Sequence, residues 1–152
     1  MRVYVDATPL YNLGQVGDLD LLSVVEGQLV IPETVVEEVT VEPAGTNLQR
    51  FLDEHAVATD PDDSAFLDTA KMLLDTDEET SDAHLVAGLL AARDASEEFG
   101  LISEDRRLRA VADGLGATIS STFGIVVRAS LDDKYFPTTQ AKRVIRRTDH
   151  HG

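Results

Sequence analysis

The sequence RVYVDATPL, residues 2–10, places a short β-rich run, an acidic residue and a helix start next to one another. Residues 2–5 predict a strand that ends at Asp6. Thr8-Pro9 then predicts a short helix, because proline suits the first helical position. In open α/β sheets, ligands bind beyond the carboxyl ends of the strands. Asp6 therefore stands where such a fold would form a site.

The same order of strand and helix recurs along the rest of the chain. Further strands are predicted at residues 28–31, 56–59, 100–103 and 118–120, and helices at residues 18–25, 32–39, 47–55, 65–74, 81–95, 105–115, 123–131 and 138–147. This alternation predicts an α/β protein with a short, mainly parallel sheet in a three-layer α/β/α arrangement. We divide the chain into one domain over residues 1–131 and a C-terminal extension over residues 132–152, with a basic helix and a frayed tail.

Composition excludes several classes of protein. The chain has 152 residues, of which 43% are hydrophobic, so it can form one domain with a core. It has no cysteine, which excludes disulfides and thiolate metal sites. No apolar run is long enough to span a membrane, and the first residues lack the layout of a signal peptide. We expect a cytoplasmic protein without a membrane partner.

The charge is strongly acidic and unevenly placed. Lys and Arg number 13 against 28 Asp and Glu, for a net charge of −15. Residues 1–92 carry 3 basic and 19 acidic residues, whereas residues 93–152 carry 10 and 9. An acidic surface with few lysines favours adaptation to a salty, halophile-like cytoplasm. The cations that could meet a phosphate backbone lie mainly in the last third.

Four acidic residues stand out from the others by their positions. Asp6 and Asp105 each follow a predicted strand, and Glu38 borders an apolar helical stripe. Asp82 lies in the first turn of a predicted helix, for which Ser81 is the predicted N-cap. Each also has an ordinary explanation. Asp82 and Asp105 suit the positive end of a helix, and Glu38 suits a solvated rim. The spacing alone leaves both explanations open.

Taken together, five segments resemble the PIN-domain family in their order and spacing. An opening strand is followed by an acid, two helices carry acids, a second strand is followed by Asp and arginines, and a last strand leads into a turn of small residues. These segments are VYVDATPL at 3–10, IPETVVEEV at 31–39, SDAHLVA at 81–87, LISEDRRL at 101–108 and ATISSTFGI at 117–125. The chain departs from many members at Glu79-Thr80, where they have Gly-Glu, and at Glu104, where they have Asn or Asp.

The resemblance implies a role for each of these residues. Asp6, Glu38, Asp82 and Asp105 would be the catalytic residues and would hold a divalent ion. Thr8, Glu104, Thr122 and Ser121 would support or line the site, and Arg106 and Arg107 would bind substrate phosphate. Thr8 is equally an N-cap, and the two arginines are equally a solvated helix face. An oxygen-only ligand set suits Mg²⁺ or Mn²⁺, and an ion is what lets several carboxylates converge without strong repulsion.

The resemblance therefore implies a divalent-metal-dependent endoribonuclease that acts on RNA. It also permits the toxin of a toxin–antitoxin pair, with a small antitoxin protein as partner. Residues 47–74 and the last helix are amphipathic and predict a homodimer. Two alternatives remain, a non-catalytic PIN-fold binding or dimerisation module in RNA processing and a phosphotransfer fold with Asp6 as nucleophile. Thr8 stands where the second alternative usually has another acid.

Overall fold

The computed structural model describes residues 1–60 and 63–132 of the chain. These residues form four strands and seven α-helices, four of them between the second and third strands, with short 3₁₀ helices at Leu19–Val24 and Ser64–Phe66. The elements in order are β1 (Arg2–Val5), α1 (Ala7–Gln15), β2 (Gln28–Val30), α2 (Glu33–Glu38), α3 (Ala44–Glu54), α4 (Leu67–Leu73), α5 (Ser81–Asp94), β3 (Phe99–Ile102), α6 (Arg106–Leu115), β4 (Thr118–Ser120) and α7 (Thr122–Asp132).

The four strands form one parallel sheet in the order β2-β1-β3-β4. Helices lie on both faces, so the predicted three-layer α/β/α class is confirmed. β1 and β3 are central, and their register pairs Val5 with Ile102. The residues that follow, Asp6 and Ser103, therefore lie side by side at the carboxyl edge of the sheet. This register brings together two segments almost 100 residues apart in sequence.

Successive residues of β1 face opposite sides of the sheet, and each side packs on different helices. Tyr4 is fully buried beneath α5, and its hydroxyl donates a 2.9 Å hydrogen bond to the carbonyl of Gly88. Gly88 is the residue that allows this approach, because a Cβ there would lie 2.4 Å from Tyr4 Cε1. Val3 faces the other layer, where it shares a groove with Ile125 of α7.

The structure shifts several predicted boundaries for local reasons. α1 begins at Ala7, because the Asp6 side chain caps it, so the helix does not begin at Thr8-Pro9. α3 begins at Ala44, three residues before the predicted start. The predicted strand at residues 56–59 forms only an isolated bridge, between Ala58 and Val30. The predicted helix at residues 138–147 lies outside the described residues.

Candidate metal centre

The four predicted acidic residues are carried by four separate elements. Asp6 directly follows β1 and is buried, with 7% of its surface exposed. Asp105 is exposed and caps α6, since its carboxylate accepts a 2.8 Å hydrogen bond from the backbone N–H of Leu108. Asp82 is half-buried in the first turn of α5, and Glu38 is the exposed last residue of α2.

A buried serine joins two of these acids. Ser103 is fully buried immediately after β3. Its hydroxyl donates to Asp6 Oδ2 at 2.9 Å and accepts from the backbone N–H of Asp105 at 3.0 Å. The other Asp6 oxygen accepts from the N–H of Ala7 at 2.8 Å. Both oxygens of this carboxylate are thus oriented by the fold.

We expect Ser103→Ala to destabilise the fold by about 1–3 kcal/mol, because two buried groups lose a hydrogen-bond partner. It should also raise the pKa of Asp6 further, since the bond from Ser103 lowers that pKa. Denaturant unfolding followed by circular dichroism measures the first effect. Ser23→Ala, at an exposed serine, is the matched control. Equal stability of the two variants would show that Ser103 does not support the site.

Glu38 is oriented by the neighbouring segment. The hydroxyl of Ser81 donates to Glu38 Oε1, which ties the end of α2 to the start of α5. Ser81 is free to do so because Thr80, and not Ser81 as predicted, caps α5 by accepting a hydrogen bond from the N–H of Ala83. The structure therefore fixes the position of Glu38 relative to the helix that carries Asp82.

Two of the four carboxylates, Asp6 and Asp82, have a raised pKa. Burial raises the pKa of Asp82 to about 6, and the negative charges of Asp6, Asp105 and Glu38 contribute to that rise. Burial also raises the pKa of Asp6, and Glu38 and Asp105 add to it. None of the four acids forms an ion pair within residues 1–60 and 63–132. The structure thus brings all four residues to one acidic cluster, which we call the acidic centre.

Comparison with known families adds to this geometry. A family model described as a PIN domain matches residues 2–152. The chain belongs to the PIN-domain family. PIN domains are generally nucleases, and they commonly use divalent metal ions. The chain has no match among curated proteins or solved structures. The match also covers the segment after residue 131, so the predicted division into domain and extension stays a prediction.

The residues predicted to support the centre of this PIN domain have different surroundings. Thr8 is exposed and lines a shallow pocket with Glu38. Among the described side chains, the hydroxyl that donates to Asp6 belongs to Ser103, and the supporting role of Thr8 stays a prediction. Thr122 is fully buried at the start of α7, and its backbone N–H donates to the Glu104 carboxylate. Glu104 therefore anchors α7 beside the centre.

The two arginines after Asp105 are exposed, in keeping with either prediction made for them. Arg107 donates to the carbonyl of Leu74 and lowers the pKa of Asp82 by its positive charge. Its guanidinium group therefore lies within electrostatic reach of the acidic centre. Arg106 lies at the first position of α6. Ser121 caps the start of α7 through the N–H of Gly124.

The donor set of the acidic centre fits Mg²⁺ or Mn²⁺. All four groups are carboxylates, and they carry mutual repulsion that a cation would relieve. They are spaced too widely for three oxygens of the centre to lie within 4.8 Å of one another. Mg²⁺ usually keeps several waters and takes only one or two carboxylates directly, at about 2.1 Å. Binding partly through water is therefore the mode that this spacing allows.

Two histidines have acidic partners in the structure. Ligand atoms of Asp20, Glu54 and His55 lie within 4.8 Å of one another, the one such group in the described part of the chain. This group is exposed, and a His55–Asp20 ion pair of 3.1 Å explains its closeness. His84 bonds to Asp63 at 2.7 Å. Neither histidine lies in the acidic centre as we define it.

Proposed function

We propose that this PIN domain is a divalent-metal-dependent endoribonuclease. The acidic centre is the observation that carries the proposal. Four carboxylates from four elements repel one another, and no cation among the described residues forms an ion pair with any of them. Such an arrangement costs stability unless a bound ion neutralises it. Selection for stability alone would not favour it, whereas selection for metal binding would.

Each residue has a role in the proposed reaction. Asp6, Glu38, Asp82 and Asp105 would hold Mg²⁺ or Mn²⁺ directly or through water. A bound ion supplies an activated water and stabilises the charge that develops on a phosphodiester. Ser103 and Ser81 orient Asp6 and Glu38. The exposed Arg106 and Arg107 would bind phosphate oxygens of RNA beside the centre.

In its more specific form, the proposal is that the protein is the toxin of a toxin–antitoxin pair and binds a small antitoxin protein. We also propose that it forms a homodimer. The exposed apolar side chains of Met72 and Leu73 lie on α4, within the region predicted to form the dimer, and support contact with a second copy. A non-catalytic PIN-fold binding module is the alternative function, and it does not account for the retention of all four acids.

The proposal is tested with the purified chain and end-labelled RNA of mixed sequence. We expect internal cleavage products in Mg²⁺ or Mn²⁺ and none after chelation with EDTA. RNA that is retained in a binding assay but left intact in both metals would contradict the proposal and favour the binding module. Within residues 1–60 and 63–132, no helix could span a membrane.

We expect metal binding to weaken as the pH falls through about 6. The pKa of Asp82 has its ordinary value of 3.8 in the unfolded chain, whereas in the folded chain it is raised to about 6. The metal-free protein should therefore lose stability as the pH rises between these values, and metal should restore it. The rise in Tm on adding Mn²⁺ should be small near about pH 5 and full near about pH 7.5.

Asp82→Asn should remove most of this pH dependence, because asparagine has no proton to lose. Asp113→Asn, at an exposed position of α6, is the control and should keep it. A Tm rise of the same size at both pH values in the unchanged protein would contradict the assignment of Asp82 to the metal site.

A further inference from the structure

A groove of about 620 Å³ lies along β3, on the face of the sheet opposite α5. Its floor is formed by β3 and the neighbouring β4. One wall is α7, through Ile125 and Arg128, and the other is the turn between the first 3₁₀ helix and β2. Val3, Val25 and Ile102 give this groove an apolar lining. No part of the acidic centre belongs to it.

The end of the groove nearest the amino ends of the strands is acidic. Glu26, Glu97 and Glu98 line it, and all three side chains are exposed. Glu97 forms a 3.0 Å ion pair with Arg2. Glu26 and Glu98 form none within residues 1–60 and 63–132. A ligand that fits this groove is therefore apolar on one side and positively charged on another.

The described part of the chain ends beside this groove. Ile125 and Arg128 are wall residues, and α7 ends at Asp132, about one turn after Arg128. Residues 133–152 follow directly, and they carry 5 basic residues against 2 acidic ones. The rest of the chain has 8 basic and 26 acidic residues. The last 20 residues thus carry a net positive charge, which complements the acidic end of the groove. They are also covalently attached to α7, which forms one wall of the groove.

The composition of the segment also matches the lining. KRVIRR, residues 142–147, sets two apolar side chains between two pairs of basic ones. Val144 and Ile145 can enter an apolar groove while the flanking arginines reach carboxylates at its rim. Attachment to α7 makes the binding intramolecular, so a weak contact suffices to hold the segment.

We propose that the groove along β3 is the docking site for the basic C-terminal segment of the same chain. Val144 and Ile145 occupy the apolar lining, and Arg146 and Arg147 face Glu26 and Glu98. The docked segment covers apolar surface of the sheet and neutralises part of its acidic edge. Docking holds Arg146 and Arg147 away from the acidic centre. The proposal does not depend on whether the centre cleaves RNA.

The absence of cysteine in the chain makes the proposal testable by a single spin label. In the full chain, Thr148→Cys carries a nitroxide, and paramagnetic broadening of backbone amides is measured by NMR. We expect the amides of Gly100 and Thr118, in the groove, to lose most of their intensity, while that of Ala70 on α4 keeps it. Reduction of the nitroxide should restore all three.

Three further samples decide which molecule and which charges are responsible. A mixture of spin-labelled unenriched protein with ¹⁵N-enriched unlabelled protein should show no broadening, and broadening there would overturn the proposal in favour of a second copy. Arg146→Glu with Arg147→Glu should abolish broadening in the labelled chain. The matched double variant, Arg50→Glu with Arg93→Glu, should keep it. Unaffected groove amides in the first sample, or broadening that survives the charge reversal at residues 146 and 147, would also overturn the proposal.

Discussion

Asp6→Asn abolishes RNA cleavage and the metal-induced rise in Tm while leaving the fold intact, and this is the largest effect that we expect on activity. Asparagine keeps the shape of the side chain but removes the charge at the most buried position of the acidic centre. Loss of metal-derived stabilisation worth several kcal/mol corresponds to a rate reduced by about two orders of magnitude or more. Cleavage of labelled RNA in Mn²⁺ and thermal unfolding with and without Mn²⁺ measure the two effects.

The metal-free variant should be at least as stable as the parent, because it no longer buries a charge at position 6 and no longer repels the neighbouring carboxylates, the two effects that raise the pKa of Asp6. Glu37→Gln is the matched control, since it removes one carboxylate beside Glu38 from an exposed position. It should leave both cleavage and the metal response unchanged. Parental cleavage by Asp6→Asn would refute the proposed function.

Gly88→Ala should cause a large loss of stability, because it adds a methyl group between α5 and the buried ring of Tyr4. The added Cβ would lie 2.4 Å from Tyr4 Cε1 and 3.0 Å from Cζ, inside van der Waals contact. Tyr4 is fully buried, so its ring cannot move aside without disturbing the core. Overpacking of this kind costs about 1–3 kcal/mol, and separation of α5 from β1 would also weaken the hydrogen bond of Tyr4 to the Gly88 carbonyl.

Alanine favours the helical state by up to about 1 kcal/mol relative to glycine, so this gain offsets part of the cost. Gly114→Ala in α6 isolates that gain, because no atom lies within 4 Å of a Cβ built there. We expect Gly114→Ala to raise stability by about 0.5–1 kcal/mol and Gly88→Ala to lower it. Denaturant midpoints compare the two, and a stabilised Gly88→Ala would show that α5 and β1 do not pack as described.

The fold was predictable because its strands and helices are marked by local patterns. The β-rich runs before Asp6 and Ser103 and the apolar stripes of the helices show in single segments of sequence. The strand predicted at residues 56–59 did not form, because a β-rich run becomes a strand only where a neighbouring strand pairs with it. In this segment only Ala58 pairs with the sheet, through Val30. Helix starts were missed by one to three residues, since the choice between adjacent capping residues such as Thr80 and Ser81 depends on tertiary contacts.

The centre was only partly predictable. The order of its motifs predicted the four acids as site residues, and burial together with the charges of the other three raises the pKa of Asp82. Ser103 was not singled out, because a serine that ends a strand has no distinctive local pattern. Its partner, Asp6, lies 97 positions away in sequence. Ser81 was predicted as a helix cap, and its bond to Glu38 arises only when α2 and α5 meet.

The three residues after β3 also determine when the acidic centre can form during translation. Ser103 fastens Asp6, Glu104 fastens the start of α7, and Asp105 starts α6. A growing chain on the ribosome exposes Asp6 early, but it lacks the hydroxyl that orients Asp6 until position 103 has emerged. We therefore expect a nascent chain of the proposed nuclease to be inactive toward the message and the ribosomal RNA around it. The proposed nuclease gains its activity only when nearly the whole domain has been made.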